Sequence, residues 1–134
     1  YDVDTAFFLF RVAEAYLNAA EAEMHINGEG SSKAKGYIDA LRKRAHATVS
    51  TSYTLNDVLD ERAREFYFEG LRRTDLIRFN QFGGTQATYN WSYKGGNING
   101  VTFDKTRNVY PIPTSEILAN RNLVQIDGYS ETEN

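Results

Sequence analysis

Small and apolar residues recur at spacings of three and four along the first quarter of the chain, at Phe10, Ala13, Leu17, Ala20 and Met24. That period places them on one stripe of a helix and predicts helix over residues 5–26. Ala15, Ala19 and Ala22 lie beside the stripe, and side chains this small let a second helix approach closely. Asn27-Gly28-Glu29-Gly30 ends the run, with Gly28 suited to a left-handed exit. Ser31 or Ser32 then caps a second helix reaching about residue 47, whose apolar face is Ala34, Tyr37, Ile38, Leu41 and Ala45. The link between them is short, so the two are expected to pack antiparallel as a hairpin over residues 1–47. Such a pair resembles one tetratricopeptide unit, although no second copy follows.

Thr54, with Asp57 three residues on, gives a capping-box start to a third helix expected over residues 55–79. This is the most charged segment, with Glu61, Glu65, Glu69 and Asp75 among Arg62, Arg64, Arg72, Arg73 and Arg78. Glu69 and Arg73 have the spacing of a favourable i,i+4 pair. Past Gly83-Gly84 the helical period disappears, and residues 80–134 read as an irregular segment. Within it Val101-Thr102-Phe103 suggests a brief strand, Pro111-Ile112-Pro113 a stiff extended link, and Thr114 the start of a short helix through residue 119. The expected fold class is all-α: a hairpin, a long charged third helix, the irregular segment and a short last helix, in one domain over residues 1–134.

The net charge of −3 with mixed signs leaves no basic stripe for a phosphate backbone, so nucleic acid is not an expected partner. No cysteine is present for a disulfide or thiolate site, and the longest apolar run, Ala6-Phe7-Phe8-Leu9-Phe10, is far too short to span a bilayer. The chain opens on Tyr1 and a helix is expected almost at once, so it reads as an excerpt of a longer protein. His25 and His46 sit at the ends of different helices without metal-ligand spacing, so no metal or other cofactor is expected. Glu61, Glu65 and Glu69 form a carboxylate stripe, but glycosidic acid–base chemistry needs two carboxylates facing across a cleft with their pKa values pushed apart. Arginines three or four residues from each glutamate argue instead for a structural ion-pair face. The glycine-rich stretch at 95–100 lacks the Lys-Ser/Thr of a phosphate loop and reads as a turn, and Asn90-Trp91-Ser92 matches the short N-glycosylation pattern.

Tyr89, Trp91 and Tyr93 are the binding candidates. At alternating positions of an extended stretch they would share a face, and flat rings stack on the C–H patches of sugars. The competing reading makes Trp91 a packing anchor for a long loop.

Five phrases, taken in order, carry a resemblance: LFRVAEAYLNAAEA (9–22), LRKRA (41–45), ERAREFYFEGLRRTDLIR (61–78), YPIPTSEI (110–117) and NLVQIDGY (122–129). Together they resemble the C-terminal region of the SusD/RagB-family outer-membrane lipoproteins of Bacteroidetes. The resemblance departs at Gln125-Ile126-Asp127-Gly128-Tyr129, where the family commonly reads Gln-Asn-Pro-Gly-Tyr. It implies a largely helical fold with tetratricopeptide-like pairs and a non-enzymatic protein at the cell surface, lipid-anchored through a segment absent here. It further implies binding of oligosaccharide or another nutrient beside a TonB-dependent barrel transporter, with the rest of the polypeptide completing the binding protein. Arg64, Glu65, Glu69, Arg72 and Asp75 fall in the shared phrases and are expected to hold helices together. A purely structural role, packing on the rest of the protein and the transporter, is the first alternative, and a helical glycoside hydrolase the second.

Overall fold

The computed structural model describes residues 9–130 and divides into two units, residues 1–72 and 73–134. In the first unit, helix α1 runs Val12–Asn27 and buries Ala13, Leu17, Ala20, Glu21 and Met24, the expected stripe with one carboxylate added. Residues 5–8 of the expected first helix lie outside the described residues. Phe10 precedes the first helical turn and is 86% exposed, so it is not part of the buried stripe. Gly28 closes the helix at φ 87°, donating its N–H to the Met24 carbonyl, a conformation that glycine reaches without steric cost.

Helix α2 runs Ser32–Arg44, capped by the Ser31 hydroxyl, which accepts from the Ala34 N–H at 3.4 Å. Ala34, Ile38 and Leu41 are buried against α1. Glu23 late in α1 accepts from Ser31 at the start of α2, and Tyr16 early in α1 meets Tyr37 edge-on at 5.9 Å. These two contacts run the helices in opposite directions. Helix α2 stops short of residue 47 because His46 adopts φ 53°, and Ala45 is exposed rather than on the apolar face.

Helix α3 runs Leu55–Glu65 and opens with a complete capping box between Thr54 and Asp57. The long third helix expected over 55–79 is instead two. After Glu65 the backbone leaves the helix at Phe66 (φ −109°), turns left-handed at Phe68 (φ 63°) and Gly70 (φ 78°), and re-enters as α4, Arg72–Arg78. The cause lies at Phe66, whose buried ring takes the guanidinium groups of Arg11 and Arg62 at 5.1 Å each. Gly70 adds a residue costing about 1 kcal/mol inside a helix. The charge period continues across the break, which is why periodicity alone reads it as one helix.

The second unit is mostly loop. Two single 3₁₀ turns, Lys94–Gly96 and Lys105–Asn108, and helix α5, Thr114–Ala119, are its regular elements after α4. The expected strand at 101–103 reduces to one bridge, Phe103 pairing with Gly83. Gln125, buried, holds the proline segment by donating to the Ile112 carbonyl at 2.9 Å and accepting from its N–H at 3.0 Å. No helix among the described residues is long and apolar enough to cross a membrane.

Candidate functional site

The charged residues of α1 to α3 form an internal network. Arg11 donates to Glu65 at 2.8 Å and to Glu69 at 2.7 and 3.0 Å, and it also reaches the Glu65 carbonyl. Arg44 donates to both Glu65 oxygens, while Arg42 and Arg64 converge on Glu61 at 2.6 and 2.7 Å. Burial raises the Glu65 pKa, but hydrogen bonds from Arg44 and Arg11 outweigh that and hold it below the ordinary carboxylate range. The Arg11 guanidinium is raised, first by its bond to Glu69 and then by that to Glu65. Arg72 donates to the Leu59 carbonyl at 2.9 Å, and Asp75 pairs with Arg78 at 3.0 Å. Glu69 thus takes Arg11 rather than Arg73. Glu65, held in its charged form by its guanidinium partners, is not the protonated member that general acid chemistry requires, and Glu61 and Glu69 are each engaged by arginine rather than facing a second carboxylate across a cleft. No group of His, Asp and Glu suited to a metal ion occurs among the described residues.

The aromatic candidates lie on a loop shaped around a lysine. Tyr89 is half-buried, its N–H donating to Gln81 Oε1 at 2.8 Å. Its ring meets Trp91 at 6.2 Å between centroids, tilted by 53°. The indole is 37% exposed, so it is neither buried as a core anchor nor fully free. Lys94 lies beneath, only 1% exposed, with Nζ 4.9 Å from the Trp91 ring centre and 5.3 Å from that of Phe103. Nζ donates to the Tyr89 carbonyl at 3.1 Å, and burial lowers the Lys94 pKa. The two residues that grip the ammonium are therefore the two that present the ring pair.

Tyr93 departs from the expected alternation. It takes φ 67° and begins a 3₁₀ turn, so the stretch is not extended there; its ring is 67% exposed. The loop closes where Val101 N–H meets the Lys94 carbonyl and Asn90 Nδ2 meets the Asn99 carbonyl. Gly100 makes that closure possible, since at φ 70° a Cβ would stand 2.6 Å from the Trp91 carbonyl oxygen. Sequence reasoning missed Lys94; its spacing of three from Trp91 was the available sign.

Residues 2–129 match the SusD family. The chain belongs to the SusD family. It is 48% identical over 94% of its length to the starch-binding protein SusD of Bacteroides thetaiotaomicron, and spans 22% of that relative. Among solved structures, surface glycan-binding protein A from Bacteroides uniformis superposes with a TM-score of 0.72 at 31% identity, over 89% of this chain and 27% of that one. A laminarin-binding SusD-like protein superposes at 0.67 and 27% identity, over 91% and 23%. The SusD-family match agrees with the helical architecture, and these relatives are named for binding starch, glycan and laminarin. The chain spans less than a quarter of the length of two curated SusD-family relatives that it matches.

Proposed function

We propose that this chain is part of a non-catalytic, cell-surface glycan-binding protein that works beside a TonB-dependent outer-membrane transporter and is lipid-anchored through another segment of the polypeptide. The observation that carries the binding role is the half-exposed Trp91 indole, backed by the buried Lys94 ammonium and flanked by Tyr89. A ring fixed in this way is ready to stack on the C–H face of a sugar, and little side-chain freedom remains to be lost on binding. Tyr93, exposed beyond the turn, is a further contact in this reading. Ligand is held by stacking and hydrogen bonds alone, so no bond is broken. Family membership and the binding roles named for the relatives support this reading.

A packing role is favoured by a different feature. At the break between α3 and α4, Tyr67 and Phe68 meet edge-on at 4.5 Å, and Phe68 is 89% exposed. They border a mainly apolar groove with Phe66 and Gly70, a surface suited to burial against protein.

Trp91 is the single tryptophan of the chain, so its emission reports on this site alone. Titration with plant, host and microbial oligosaccharides is expected to give a saturable shift with one class. In calorimetry Trp91→Ala should weaken that binding at least tenfold, about 1.4 kcal/mol. An emission already blue and unmoved by every sugar would leave the packing role.

A further inference from the structure

The second unit holds another cleft, of about 510 Å³, walled by Phe82, Phe103, Tyr110 and Tyr129, with Arg73 and Arg107 among its lining. We propose that this cleft binds an anionic sugar residue, a uronate or a sulfated unit, through the guanidinium groups of Arg73 and Arg107 and the aromatic wall. Taking the ligand to be a saccharide rests on the glycan-binding reading above; the preference for an anion rests on the cleft itself.

Among the described residues neither guanidinium of the cleft forms a salt bridge with a carboxylate. The Arg73 guanidinium lies 4.0 Å from the ring centre of Tyr110 and 5.1 Å from that of Phe82. One of its amino groups, Nη2, donates to the carbonyls of Arg107 and Asn108 at 2.9 and 3.2 Å. A guanidinium carries five N–H donors, and no carboxylate among the described residues pairs with this one. Arg107 stands 5.9 Å from the Tyr129 ring centre. The acid that feels Arg107 is Asp104, but its carboxylate is engaged first by the Thr106 N–H and then by the Thr106 side chain. Those bonds lower its pKa, and Arg107 contributes least.

Arg73, half-buried against its aromatic wall, is less hydrated than in open water, while Arg107 stands exposed beside Tyr129, and an anion arriving there finds both charge and donors. A guanidinium fork matches a carboxylate or sulfate with two parallel bonds. The walls select what carries the anion. Tyr110 is 71% exposed, so its ring is available to the flat C–H face of a pyranose. The hydroxyl of Tyr129 is turned to the Thr106 and Val109 carbonyls at 3.0 and 2.9 Å, which fixes its ring as wall. A free inorganic anion would use the cations and leave the aromatic surface uncovered.

Calorimetry on the 134-residue chain would compare tetragalacturonate, its carboxyl-reduced neutral counterpart, and a sulfated neutral tetrasaccharide. At least one anionic ligand is expected to bind tenfold or more tightly than the neutral one, and which of them does identifies the anion. The preference should shrink in 0.5 M NaCl. Arg107→Gln should remove most of it and Arg107→Lys should retain part. Either substitution leaves the Arg107 backbone carbonyl that anchors Arg73 in place, and circular dichroism would check the fold. Equal affinity for anionic and neutral ligands, no binding of either anion, or an unchanged preference in Arg107→Gln would overturn the proposal. Trp91→Ala separates the two sites. An Arg107-dependent preference surviving Trp91→Ala supports this cleft while removing the indole from recognition; Trp91-dependent neutral binding without anionic preference does the reverse.

Discussion

Apart from Arg78, which pairs with Asp75 in α4, the described cations of the two units differ in their partners. In the first, Arg11, Arg42, Arg44 and Arg64 each reach a carboxylate, and Glu61 and Glu65 each serve two arginines. In the second, Lys94, Arg73 and Arg107 lie against Trp91, Phe103, Phe82, Tyr110 and Tyr129, and their nitrogens bond to carbonyls where they bond at all. Charge matched internally has little left to offer a ligand and serves to fix helices relative to one another. Charge set against π faces keeps its attraction for an incoming group. Arg11 has both a carboxylate and the Phe66 ring, so the distinguishing feature of the region where recognition is proposed is cation–aromatic packing without a salt-bridged carboxylate at Arg73, Arg107 and Lys94.

The largest effect should come from breaking the first pattern. Glu65→Gln takes from Arg11 and Arg44 the buried carboxylate they share; Arg11 keeps Glu69 and Arg44 is half-exposed, so the cost is about 2–3 kcal/mol. The thermal midpoint should fall by roughly 10 °C or more. The pH dependence has a definite sign. Because the folded-state Glu65 pKa is depressed, its stabilisation is fully present above the unfolded carboxylate value and is lost as pH falls through the lower folded value. Midpoints measured from pH 6 down to pH 2 should drop more steeply for the wild type than for Glu65→Gln. Parallel curves would show that the network contributes geometry without stability.

The loop of the second unit rests on backbone shape rather than on ion pairs, so its weak point is a glycine. Gly100→Ala places a methyl group against Trp91 O and Asn90 at a positive φ, costing about 2 kcal/mol or more. Red-shifted Trp91 emission with little change in helix content is the expected signature. A midpoint and emission equal to the wild type would mean that the loop readily takes another course.

The first unit was the more legible from sequence for the same physical reason. Ala13, Leu17, Ala20 and Met24 repeat with the helical period and are buried, and Thr54 with Asp57 forms the capping box their spacing announces. Local rules act within one turn, so they are visible in one turn of sequence. The break at Phe66 escaped because it depends on Arg11, fifty-five positions away, stacking on that ring together with Arg62. The second unit has few such local rules. Tyr89 and Trp91 were visible as an aromatic pair, but alternation presumes an extended backbone, and Tyr93 in a left-handed turn departs from it. Lys94 looked like any surface lysine because its burial comes from Phe103 and the returning backbone at Val101. The cleft joins Arg73 to Tyr110 and Arg107 to Tyr129, pairings more than twenty residues apart that no local pattern encodes.

The smallest effect sharpens the comparison at Lys94 itself. A buried ammonium without a carboxylate partner is disfavoured in its charged form, so its folded pKa is lowered while the unfolded chain keeps the ordinary lysine value. Between those two values the unfolded state binds more protons than the folded state. Stability from this group therefore rises with pH across that alkaline window, the opposite of what a lysine with an acidic partner contributes. Lys94→Met keeps the length and packing of the side chain and removes the titration. The wild type should gain stability relative to Lys94→Met as pH rises through the alkaline range, read as the difference between denaturant midpoints. The same change removes the cation beneath the indole, so Trp91 emission in Lys94→Met should lose its alkaline titration. A constant stability difference across that range, with Trp91 emission titrating alike in both proteins, would mean that Nζ reaches water and that the ammonium does not set the ring.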